Sequence, residues 1–166
     1  VGYRHSRRFR LFFKKQTTMI LIAHRGLIDG PNRDYENHPD QIYKALDAGF
    51  DAEIDLWLYN NKLMLGHDQP QYEIERSFLE HNGLWIHAKN LEVLAWLTTT
   101  DLNYFWHQED DYVITSHHFI WTYPGKTLTA RSISVMPEWH DSTLVNIPNY
   151  CLGICSDYVG KIRKIQ

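Results

Sequence analysis

The chain alternates short apolar runs with segments of helical period. Runs of strand character fall at 20–24, 52–59, 63–65, 84–88, 103–107, 112–115, 119–122, 132–136 and 153–158. Between the first two, Ile42, Ala45 and Leu46 share one face of a helix predicted over 40–49, with Gly49 as its stop. Asn90 is positioned to cap a second helix carrying Leu91, Leu94, Ala95 and Leu97. A third short helix is predicted over 77–81. Strand, helix, strand in this order reads as a parallel crossover, so the expected class is α/β, either layered or closed into a barrel. The runs at 112–115 and 119–122 are too close for a helical crossover and predict a hairpin. There is neither an internal repeat nor a low-complexity linker, and one domain is expected.

Composition supports a packed core and narrows the partners. The 166 residues are 43% hydrophobic and 22% charged, enough to close one core. No run approaches the roughly 18 apolar residues of a membrane span, so no transmembrane segment is expected. The formal net charge of -3 is unevenly spread. Arg4, Arg7, Arg8, Arg10, Lys14 and Lys15 all fall in the first eighteen residues, which contain no acid. Residues 1–18 are therefore read as a basic N-terminal extension outside the catalytic part, and 19–166 as the single domain. A nucleic-acid arm, a lipid-surface anchor and a transit-like segment are the other readings of that extension. Because the body is acidic, no nucleic-acid partner is expected. Basic residues flank only a three-residue apolar core, Leu11-Phe12-Phe13, so no secretory signal is expected and the location is taken as cytoplasmic. Cys151 and Cys155 lack zinc spacing and would stand about 13 Å apart in a strand, so reduced thiols are expected.

The chemistry-bearing residues gather at strand ends. Alternation over 51–57 puts Ala52, Ile54 and Leu56 on one face and Glu53 and Asp55 on the other, about 6–7 Å apart. Two acids on one strand face repel unless water or a cation lies between them. A hard cation such as Mg²⁺ or Ca²⁺ is one resolution, a solvated outer strand the other. His24 and Arg25 leave an apolar run at a glycine turn, and His67 with Asp68 repeats the arrangement. Each histidine alone reads equally as a surface residue. Two of them bracketing an acid pair supply the acid and base that phosphoester cleavage needs beside a metal. His87 and Lys89 share a strand face. Trp121 and Tyr123, near His107 and Gln108 in the pattern, read either as a wall stacking on a glycerol or sugar-like alcohol or as core aromatics and a turn. Glu138 is a candidate supporting carboxylate. Ser116, His117 and His118 lack a nucleophile elbow and are not read as a hydrolase triad.

Five segments, His24-Arg25-Gly26, Glu36-Asn37, Ala45-Leu46-Asp47-Ala48-Gly49, Glu53-Ile54-Asp55 and Gly66-His67-Asp68, resemble in order and spacing the signature of the glycerophosphodiester phosphodiesterase family. Weaker echoes follow in Ile86-His87-Ala88-Lys89 and in 153–158, which is similar to the family's closing strand. The resemblance implies a (β/α)8 TIM-type barrel with its site at the C-terminal strand ends. Such a barrel ordinarily takes about 200 residues or more, so a compact or incomplete form with several outer helices missing is expected. It further implies Glu53 and Asp55 as metal ligands, His24 and His67 as the catalytic acid and base, Arg25 on the phosphate, and Glu36 and Asn37 in the loop shaping the substrate pocket. Lys89 can approach a phosphate oxygen, and Trp121 is placed with the substrate-binding residues.

One position departs from that family. Where its members usually carry a glutamate two residues before the lysine, this chain has His87, expected here as the third ligand. An imidazole in place of a carboxylate shifts the expected metal from Mg²⁺ or Ca²⁺ toward Mn²⁺ or Zn²⁺. Glu53 and His67 stand only fourteen positions apart, leaving no insertion to cover the pocket, so an open mouth and a small or polymeric diester are expected. The expected activity is metal-dependent hydrolysis of a glycerophosphodiester-like substrate. A phosphate-binding pseudoenzyme and a lyase releasing a cyclic phosphate are the alternatives.

Overall fold

The structure, a computed structural model, describes residues 19–166, and the basic extension read over 1–18 lies outside the described residues. The elements run β1 (Ile20–Ala23), α1 (Pro39–Asp47), β2 (Asp51–Tyr59), β3 (Lys62–Leu65), β4 (Tyr72–Ile74), β5 (Leu84–Ala88), α2 (Leu91–Leu97), β6 (Tyr104–Phe105), β7 (Tyr112–Ile114), β8 (Ile120–Thr122), β9 (Ser132–Val135), β10 (Gly153–Ser156) and α3 (Val159–Ile165). Each expected strand run contains a strand. β4 and α3 were not anticipated, and the short helix expected over 77–81 is a 3-10 turn, Arg76–Glu80.

The ten strands form one mixed sheet that curls into a half-barrel. Its parallel path runs β6-β5-β2-β1-β10-β9-β8, while β3 and β4 extend antiparallel from β2, and β7 pairs antiparallel with β8. The expected (β/α)8 barrel, even in a shortened form, is thus corrected. That barrel needs a helix on every crossover, and only β1 to β2 and β5 to β6 have an α-helix between them. Asn60 and Asn61, with φ of 48° and 64°, turn β2 straight back into β3 as a hairpin, which two consecutive positive-φ residues favour. Among the described residues no strand pair joins β6 to β7 or β8, so the circle stays open.

The two sheet faces carry different cores. On the convex face Ala52, Ile54, Leu56, Ile86 and Ala88 pack with Ile42 and Ala45 of α1 and Val93 and Leu97 of α2. On the concave face Ile22, Trp85, Phe105, Trp121, Ile133 and Cys155 fill the hollow. A third cluster of Leu144, Cys151, Ile154 and Ile162 seats α3. The second helix is fixed where the sequence put its cap, whereas α1 is capped by His38, whose side chain accepts from the Asp40 N–H. Asn90 accepts from the Val93 N–H at 3.2 Å, and its amide donates to the Leu58 carbonyl at 2.9 Å, tying α2 to the end of β2. Both cysteines are free and buried, Cys155 within β10 and Cys151 ahead of it.

Candidate functional site

At the C-terminal ends of β1, β2 and β5 the concave face opens into a cavity of about 390 Å³, in the range of small-molecule sites. It is lined by His24, Arg25, Glu53, Asp55, His67, His87, Lys89 and Trp121, which the sequence singled out. Glu36 and Asn37 stand behind it rather than in its lining. They contact Arg25 and Asp55, which do line it.

β2 alternates as predicted and turns both Glu53 and Asp55 inward, where they are 3% and 1% exposed. Asp55 is wrapped in donors. The Asn37 amide donates to Oδ2 at 2.8 Å, and Asn37 Oδ1 accepts from the Asp55 N–H at 2.8 Å. Arg25 Nε lies 3.2 Å from Oδ2, and Lys89 Nζ and His87 Nδ1 lie 3.3 and 3.0 Å from Oδ1. Burial opposes its charge, but His87, Lys89 and Arg25 hold the carboxyl far below the usual carboxylate range. Among the described residues Glu53 accepts one hydrogen bond, from the Arg25 N–H at 3.1 Å. Burial, then the Asp55 charge, raise its pKa, with His24, His87 and Arg25 pulling the other way. A second cation would satisfy it.

Arg25 sits at φ 50° in the turn after β1, and Glu36 accepts from its Nη1 at 2.8 Å, which aims the guanidinium across the acid pair. His24, at the same strand end, has Nδ1 2.8 Å from Asp157 Oδ1. Burial works against its charged form, yet the Asp157 hydrogen bond and the Glu53 charge outweigh it and raise its pKa. Asp157 is itself fixed, because Glu138 Oε1 accepts from the Asp157 N–H at 3.0 Å and from the Ser156 hydroxyl at 2.8 Å. Glu138 is thus the supporting carboxylate anticipated. Asp157 was not singled out, although an acid just past a strand end repeats the signal that marked His24 and His67.

His67 reaches the cavity from the loop after β3 and pairs with Asp68 at 2.7 Å, its side chain 35% exposed. The loop depends on Gly66, at φ 148°, where an added Cβ would meet the Gln69 carbonyl oxygen at 2.1 Å. The Ser116 hydroxyl donates to the Leu102 carbonyl and accepts from the Tyr104 N–H, a bridge between loop and β6.

Glu53, Asp55 and His87 offer ligand atoms that all lie within 4.8 Å of one another. The hydrogen bonding of His87 bears on what these atoms can hold. Its Nε2 lies 3.2 Å from the His107 carbonyl, which only accepts, so Nε2 carries a hydrogen. Nδ1 then faces a carboxylate oxygen, so either the ring carries a second proton and donates from both nitrogens, or Nδ1 and the carboxylate share a cation. A backbone-anchored imidazole of this kind is a common arrangement in metal ligation. The donor set fits one divalent ion. Comparison of the chain with protein-family models, curated proteins and solved structures finds no match.

Proposed function

We propose that this chain is a metal-dependent phosphodiesterase acting on a glycerophosphodiester-like substrate. The observation that carries the reading is the convergence, in one cavity, of an acid pair, two strand-end histidines and two cations from separate parts of the chain. Glu53, Asp55 and His87 would hold the divalent ion, which when bound supplies positive charge to a phosphate oxygen. Mg²⁺ or Ca²⁺ follows from the family resemblance, Mn²⁺ or Zn²⁺ from His87.

Arg25 and Lys89 flank Asp55 and orient the remaining phosphate oxygens. His67, at the exposed side of the cavity, takes the proton of the attacking oxygen. His24, whose charged form Asp157 favours, gives a proton to the departing alkoxide. The phosphorus gains one oxygen bond and loses another, and the two histidines end with exchanged protonation states that solvent resets. No helix among the described residues is long and apolar enough to cross a membrane.

The test is an assay of glycerophosphodiester cleavage with Mg²⁺, Ca²⁺, Mn²⁺ and Zn²⁺, comparing the parent with His24→Ala, His67→Ala and Glu53→Ala, with products read by phosphorus NMR. Loss of turnover in each variant supports the reading. Equal background rates in all four proteins with every metal refute it, and a cyclic phosphate as the final product would make the enzyme a lyase.

A further inference from the structure

Two chemistries line the cavity. Beside the histidines, Arg25 and Lys89, its lining includes Tyr123, Trp139, Gln108 and Asp110. Tyr123 is 42% and Trp139 62% exposed, so two large solvent-facing rings line the same cavity as the reacting groups. Exposed aromatics at the rim of a polar cleft mark a ligand contact rather than a core.

The kind of ligand follows from what accompanies the rings. A pyranose presents a C–H face that packs on an aromatic ring and an edge of hydroxyls that pair with carboxylate and carboxamide groups. Glycerol is too small to use both rings and both polar groups. A quaternary ammonium favours rings on several sides, and here Trp121 is withdrawn, 5% exposed and stacked at 4.5 Å on Phe105. The carboxamide of Gln108 also offers such a cation little. The turn between β2 and β3 is only two residues long, so no insertion there covers whatever the ring is attached to.

We propose that Tyr123, Trp139, Gln108 and Asp110 form the leaving-group subsite and that it receives a sugar, so that the substrate joins phosphate to a pyranose hydroxyl. The inference rests on the phosphodiesterase reading above. In the step it implies, the oxygen of water bonds to phosphorus while the bond from phosphorus to the sugar oxygen breaks. The sugar oxygen takes its proton from one histidine, and the other histidine receives a proton from water.

Two measurements on the full chain separate this inference from the reading beneath it. Calorimetric binding of glucose 1-phosphate and glycerol 3-phosphate, which needs no turnover, should favour the sugar phosphate by about tenfold, the scale of one aromatic contact. Trp139→Ala should erase that preference and Trp139→Phe, which keeps a ring, should restore most of it. In turnover, glycerophosphoglucose should exceed glycerophosphocholine in kcat/KM by a similar factor. Equal affinity for the two monophosphates, or a choline diester preferred with the same dependence on Trp139, overturns the sugar subsite. Sugar-phosphate binding that depends on Trp139, with no diester cleaved, would leave the subsite standing and refute the phosphodiesterase.

Discussion

His87 turns Nδ1 toward Asp55 Oδ1 at 3.0 Å, while its other nitrogen is committed to the His107 carbonyl. A neutral imidazole and a carboxylate so placed have no hydrogen to share. The contact is satisfied by a cation or by a second proton on the ring, and the two answers differ in what they bind.

If the cation is a metal, titration calorimetry without substrate should show one divalent ion per chain, bound more tightly as Mn²⁺ or Zn²⁺ than as Mg²⁺. His87→Ala should weaken it by ~10-fold or more, and His87→Glu should move the preference toward Mg²⁺ or Ca²⁺. No saturable binding of any of the four ions would leave the second proton as the answer.

The hydrogen bond between His24 and Asp157 sets a pH limit. As the acid, His24 must be protonated, so turnover falls as pH rises through its raised pKa, placing the alkaline limb above the ordinary 6.5 of histidine. Asp157→Asn removes the partner that favours the charged ring. The limb should then move to lower pH while the acidic limb stays, a shift that a purely structural loss would not produce.

His107 is displaced the other way. Burial, then the His87 charge, lower its pKa to about 4. Its ring resonances should stay those of a neutral imidazole from pH 8 to 5 and titrate near 4. Since the unfolded chain takes up that proton near 6.5, the folded state loses stability from this group as pH falls from 6.5 toward 4. A ring that titrates near 6.5 in the folded protein would contradict the burial described.

Asn37 is fully buried at φ 61° and answers both the N–H and one carboxylate oxygen of Asp55. Asn37→Ala leaves the Asp55 N–H without its acceptor and Oδ2 with Arg25 alone, a loss of about 2 kcal/mol and about 4–8 °C in Tm for a chain of this size. Glu36→Ala, which frees a partly exposed ion pair, should cost distinctly less in the same melts.

Much of the site was legible because it lies at ends of strands whose alternation is clear. The period of two in β2 was enough to turn Glu53 and Asp55 to one side, and the Gly turns at 26 and 66 marked where His24 and His67 leave the sheet. The roles of Glu36 and Asn37 were harder to see. Their partners, Arg25 and Asp55, are distant along the chain, and nothing local tells a residue that lines a cavity from one that braces its lining. The barrel expectation came from the order of motifs and parallel runs, which say which strands are neighbours near the site. Whether a sheet closes depends on its last strands, and here β6 is two residues long and β7 pairs away from it, details too short for periodicity to register.

In a sheet that stops before meeting itself, side chains do the work of the absent wall. Rings follow one another from Trp85 to Trp121 at 5.9 Å, to Phe105 at 4.5 Å, to His87 at 5.1 Å and to His107 at 5.0 Å. This column links Trp85 to the imidazole that contacts Asp55. A change of volume at Trp85 should therefore be felt at Asp55, three rings away and one contact beyond.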